Sequence, residues 1–260
     1  AEESGGINVM GQGKIIAVMD EGFQVNGLGS NNRTHQEFSG KTIYYNNSYK
    51  SNFGTYSKYG LRHGTFVASI AAGNFGTGAM MGVAPNADLH LFDNTAAVKP
   101  AGVASMANWY AIGTDSAASA GAVVQNNSWG FDDSQTNNGV AYTAQAAVNT
   151  YVNYMNNNGL TGAQTLSAFA SIDSDSNGVN DIYHAGTAAQ WQTYIDSLNT
   201  YQNTGVVVFA LSNNATFPDA DVSAALPELF PQLEEAWLTV TNVNITGTGT
   251  QNFTLQSAPC

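Results

Sequence analysis

Basic residues are scarce in this chain. Seven Lys and Arg face 19 Asp and Glu, a formal net charge of −12 at pH 7. Such a balance repels phosphate backbones and anionic lipid headgroups, which argues against a nucleic-acid partner. Charge of either sign is sparse as well, at 10% of residues, and Asn, Ser, Thr, Gly and Tyr take the surface that Lys and Glu hold in a cytosolic protein. Long apolar runs are missing: no stretch reaches the roughly 18 residues needed to span a bilayer. The opening AEESGG has neither the basic nor the apolar region of a signal peptide and reads as a mature N-terminus. Cysteine occurs once, at Cys260, so it is either a free thiol or half of a bridge to a second chain or segment. The secreted style of the surface favours the bridge.

What is present is enough to bury a large core. With 43% apolar residues over 260 positions, one large domain spanning 1–260 is expected rather than two small ones. Apolar runs bounded by turn residues alternate with helical patterns, the arrangement of a parallel α/β sheet covered by helices on both faces, a three-layer α/β/α fold. Strands are expected at 14–20, 88–92, 122–128, 205–211 and 236–243, and helices at 63–73, within 101–112, at 139–157 and at 188–202. In the last, Trp191, Tyr194, Ile195, Leu198 and Tyr201 recur at three- and four-residue steps and share one buried face, expected to pack on the sheet. The polar stretch at about 159–187 reads as an inserted surface loop.

Two residues draw attention by position. Asp20 ends the first strand, and open α/β sheets deliver functional groups at the carboxyl ends of their strands. His63 stands at a helix entrance, where the positive end of the helix dipole disfavours an imidazolium and keeps the ring able to accept a proton. Each also has a plain structural reading: an Asp closing a turn, a histidine serving the fold.

The segments IIAVMDEG, HGTFVASIAAG, GVAPNADLHLF, NNSWG and GVVVFALSNN occur in one chain in this order. That series resembles the subtilisin-like serine proteases, the subtilases, from about residue 11 to about 257, with 131–204 longer than in compact members. The Asn- and Gly-rich style and the insertion look most like bacterial secreted or autotransporter-passenger members. The resemblance implies that Asp20 is the triad acid, which fixes the histidine tautomer and stabilises the imidazolium, and that His63 is the general base. It implies that Asn213 donates to the oxyanion of the tetrahedral intermediate. It also implies that Ser128, Trp129 and Gly130 line the cleft where an extended peptide pairs, with Asp93–Ala97 as the opposite rim. Leu211 and Ser212 take positions commonly Ala and Gly along the specificity pocket, so their side chains are expected to narrow it. Asn213 closing a strand-to-helix turn, and Trp129 as a core residue, remain the structural alternatives.

One element of the family pattern has no counterpart. The nucleophilic serine belongs to a Gly-Thr-Ser motif opening a later helix, and nothing of that form follows Asn213. The stretch GTDSAASA, with Ser116, has a similar flavour but precedes NNSWG and lacks the proline. Three explanations stand: a truncated chain, a second polypeptide carrying the serine and a partner for Cys260, or a degenerate protease used for binding. Glu21, where the family usually has Ser or Thr, sets a second carboxylate beside Asp20, and Phe66 replaces a frequent histidine.

A metal site is also suggested. DSDSNGVND spaces Asp173, Asp175, Asn177 and Asp181 around Gly178, with the Val179 carbonyl available, as calcium loops do around a hard cation. Position 12 of an EF-hand loop falls on His184, not Glu, and a metal-free acidic turn is the alternative. The expectation is therefore a secreted serine endopeptidase acting on peptide or protein substrates, with Ca2+ as its ion, the serine lying beyond or outside this chain. Its rival is an inactive subtilase fold that binds peptides or builds assemblies.

Overall fold

Five apolar residues in succession, Ile15 to Met19, leave a strand no face to offer to water, so it must run through the interior of a sheet. The computed structural model describes residues 10–25, 34–45, 63–76, 81–95, 99–130, 136–137, 140–141, 144–169, 186–211, 222–240, 243–245 and 253–255. The chain divides into two compact units. The first takes in Ala1–Val103, Ile112–Ser128 and Asn203–Val207, and the second Ala104–Ala111, Trp129–Gln202 and Val208–Cys260.

In the first unit β1 (Ile15–Asp20) is an interior strand, with Ala17, Val18 and Met19 fully buried. It pairs in parallel with β3 (Asp88–Asp93) on one side, Asp20 facing Asp93, and with β4 (Val124–Asn127) on the other, Met19 facing Asn127. The short β2 (Ile43–Tyr44) runs parallel to β3, giving the order β2-β3-β1-β4. The next strand, β7 (Val206–Ala210), begins here with the Val206 N–H donating to the Val123 carbonyl. Parallel neighbours require crossover connections, and helices supply them: α1 (His63–Ala72) before β3, α2 (Met106–Ala120) before β4. This is the α/β class that the sequence predicts.

α1 buries its small residues. Gly64, Ala68, Ser69 and Ala72 face inward, while Phe66 and Ile70 are 57% and 44% exposed. α2 differs from expectation in running eight residues past position 112. The small-residue stretch GTDSAASA is the second half of this helix: an ideal Cβ on Gly113 would stand 2.7 Å from the Phe92 ring and 2.9 Å from the Met19 methyl. The helix starts at 106 because the Ser105 hydroxyl accepts the Asn108 N–H as an N-cap.

In the second unit β7 is followed by β8 (Trp237–Val240), where the Leu211 N–H donates to the Val240 carbonyl. Two antiparallel pairs accompany it, β5 (Thr136–Asn137) with β6 (Val140–Ala141) and β9 (Val243–Ile245) with β10 (Phe253–Leu255). α3 (Ala144–Asn158) ends at Gly159, whose φ of +62° suits a glycine past a helix end. The segment expected as a loop then carries a helix, α4 (Gly162–Phe169), with Ala163, Thr165 and Leu166 buried. Its start is a reciprocal cap: Gln164 N–H to the Thr161 hydroxyl, and Thr161 N–H to the Gln164 side-chain carbonyl. α5 (Ala188–Tyr201) opens with the same device, Thr187 with Gln190, and packs on α4. Its stripe of Trp191, Tyr194, Ile195, Leu198 and Tyr201 is fully buried. A four-residue α6 (Leu226–Leu229) leads into a 3-10 helix at Pro231–Ala236, whose Leu233 carbonyl accepts from the Gln202 side chain.

Candidate active site

The carboxyl end of β1 and the first turn of α1 meet within the first unit. After Asp20 the chain turns through Gly22, at φ +70°, and crosses the start of α1. The turn satisfies helix N–H groups that have no partner inside the helix: Gly64 N–H donates to the Glu21 carbonyl at 2.8 Å and Thr65 N–H to the Gly22 carbonyl at 3.2 Å. The Gln24 N–H returns a bond to the Thr65 hydroxyl at 2.7 Å. An ideal Cβ on Gly64 would meet the Phe23 ring at 2.7 Å and the Gly22 carbonyl at 2.9 Å, so this approach requires glycine.

That seat brings His63 to Asp20, with Nδ1 and Oδ1 at 2.5 Å. The same oxygen accepts the Glu21 N–H at 2.7 Å. Burial is sharply unequal across the pair: the imidazole is 48% exposed and the carboxylate 1%. Burial pushes the Asp20 carboxyl up to about 6, opposed by its hydrogen bond to His63 and by the histidine's charge. At pH 7 the group is still ionised. An ionised carboxylate only accepts, so Nδ1 carries the proton and, in the neutral ring, Nε2 holds the free lone pair.

Asp93, opposite Asp20 in the register, is 8% exposed. Its Oδ2 accepts the Gly22 N–H at 3.1 Å, and its Oδ1 accepts the Thr95 N–H at 3.0 Å and the Thr95 hydroxyl at 2.6 Å. The Asn94 N–H donates to the Asp20 carbonyl at 3.1 Å. Burial raises the Asp93 carboxyl above the usual carboxylate range, against these donors. Sequence reasoning placed Asp93 only at the start of a cleft rim. The signal that could have found it is the one used for Asp20, an acid at the carboxyl end of an interior strand.

The other expected residues fall in several places. Ser128, half-buried, accepts a bond from the Asn126 side chain at 2.9 Å. Trp129 is half-buried, stacked on Tyr110 with ring centres 4.7 Å apart and edge-on to Phe209 at 5.5 Å, while Gly130 is exposed. Leu211 is 6% exposed. Ser212, Asn213, Cys260 and the acidic run Asp173, Asp175, Asn177, Val179 and Asp181 lie outside the described residues. Among the described residues no group of three or more His, Cys, Asp or Glu side chains could hold a metal ion. Ser116 sits inside α2 and its hydroxyl is hydrogen-bonded to His90 Nε2 at 2.8 Å. His90 is 1% exposed, and burial lowers its pKa to about 4.

The chain belongs to the subtilase family, whose sequence pattern matches residues 11–258. No curated protein matches it. Among solved structures, MycP1 from the ESX-1 type VII secretion system is 18% identical, aligned over 90% of this chain and 52% of its own, at a TM-score of 0.42. MycP1 with the N-terminal propeptide removed is 18% identical over 79% of this chain and 44% of its own, at 0.39. The epidermin leader peptide processing serine protease (EpiP) from Staphylococcus aureus is 15% identical over 78% of this chain and 37% of its own, at 0.38. The chain thus spans about half or less of the length of these structures. No helix among the described residues is long and apolar enough to cross a membrane.

Proposed function

We propose that this chain supplies the acid and the base of a serine endopeptidase that cleaves peptide bonds by acyl transfer. The observation that carries this reading is the Asp20–His63 pair, a buried carboxylate bonded at 2.5 Å to a half-exposed imidazole. Held this way, His63 takes the proton of an attacking hydroxyl on Nε2, the carboxylate stabilises the imidazolium, and the proton passes on to the leaving amine. Asn213 is proposed as the oxyanion donor, and Ser128, Trp129, Gly130, Leu211 and Ser212 as contacts for an extended substrate; support for these roles is their place in the family pattern.

The hydroxyl comes from a Gly-Thr-Ser helix outside this chain, in a longer product or a companion polypeptide. A serine-directed fluorophosphonate tests this: the 260-residue chain should stay unlabelled while a longer product or companion chain labels. Labelling at Ser116 overturns the assignment. A longer product that has no Gly-Thr-Ser helix and takes no label supports an inactive peptide-binding fold instead.

Secretion is proposed from the surface composition, and calcium from the alternation of oxygen side chains around Gly178. With calcium bound, EDTA should increase proteolysis within 160–187. Cleavage at an unchanged rate removes the ion from this account.

A further inference from the structure

We infer that Asp93 is a positioning residue of this site, clamping the Glu21–Gly22 peptide that seats His63 against Asp20. The inference rests on the acid–base reading of that pair. A trans peptide points its N–H and its carbonyl to opposite sides. Here the two ends of one peptide unit reach two different elements. The Gly22 N–H donates to Asp93 Oδ2 at 3.1 Å, and the Glu21 carbonyl accepts the Gly64 N–H at 2.8 Å. Asp93 therefore connects through a single peptide to the backbone of the residue following His63.

The carboxylate has itself been fixed from the far side. Thr95 donates both its N–H and its hydroxyl to Oδ1, leaving Oδ2 aimed at Gly22. Three donors thus converge on one side chain, and bonds in series through a peptide reinforce one another. Both strand-end acids thus act on the same turn. Asp20 binds the imidazole and the Glu21 N–H, while Asp93 holds the peptide that follows.

Asparagine is the informative substitution. Its amide has one acceptor oxygen where the carboxylate has two, so in Asp93→Asn an NH2 must face the Gly22 N–H or the Thr95 N–H, and one of the two bonds is lost. The readout is the low-field proton NMR signal of the His63 Nδ1–H in the 260-residue chain, assigned by its loss in Asp20→Asn. The expected result is a folded Asp93→Asn chain in which that signal disappears, while a surface control such as Phe66→Ser keeps it. A folded Asp93→Asn chain with the signal intact overturns the role of Asp93 and leaves the pair standing. Absence of the signal from the unmodified chain overturns the acid–base reading itself, and the clamp with it. Should Asp93→Asn fail to fold, Thr95→Val removes one donor from Oδ1 and keeps the carboxylate. Exchange of the His63 proton with solvent should then quicken by up to about tenfold, the scale of one lost hydrogen bond, and an unchanged rate overturns the clamp.

Discussion

At the scale of single residues, the site is a contrast in exposure. His63 reaches solvent while Asp20 does not, so the ring is open to an incoming group and the carboxylate bonded to it stays behind the strand end. Burying that charge has a cost. A rise from an ordinary 3.8 to about 6 corresponds to about 3 kcal/mol. The sign follows from proton binding. Below about pH 3 the carboxyl is neutral in both states and the fold bears no penalty. As pH rises toward 7 the unfolded chain releases its proton first, so this share of stability is lost through pH 6. Asp20→Asn removes the titration, and its stability relative to the unmodified chain should improve by about 3 kcal/mol between pH 3 and pH 7. Urea unfolding at the two pH values measures the difference, and parallel pH curves for the two chains contradict it.

At the scale of elements, α1 is a carrier whose inner face was chosen for closeness. Gly64, Ala68 and Ala72 let it lie near β1, and the large apolar groups Phe66 and Ile70 point outward. Gly64→Ala forces a methyl into the Phe23 ring, and overpacking of this kind costs about 1–3 kcal/mol. Phe66→Ser on the outer face should stay within about 0.5 kcal/mol. Thermal unfolding of the two variants distinguishes them, and an equal effect rules out the close seat. Elements were legible where period and punctuation agreed. β1 and α5 match their expected spans closely because one has an unbroken apolar run and the other a capping pair followed by a clean three- and four-residue stripe. α4 was missed although Thr161 and Gln164 form the same cap as Thr187 and Gln190. Gly159 and Gly162 mask it, and Gly162 is there because the Leu229 carbonyl would stand 2.5 Å from a Cβ, a contact distant in sequence.

At the scale of the whole molecule, the two expected catalytic residues that the structure describes come from distant parts of the chain. Residues 20 and 63 are brought together in the first unit by a parallel sheet and one crossover helix. Trp129, expected at a cleft, is in the second unit within a chain of rings, Tyr110, Trp129, Phe209 and Trp237. The sequence by itself determined the α/β class, the acidic composition and the family, and it singled out Asp20 and His63, because each is written in local runs or in the order of short motifs. Tertiary structure alone decided three things: that Ser116 answers to His90 and not to His63, that residues 162–169 form a helix, and that Asp93 holds the turn beside Asp20. Each depends on which groups meet across the register of parallel strands or the packing of helices, and residue spacing along one chain does not encode those distances.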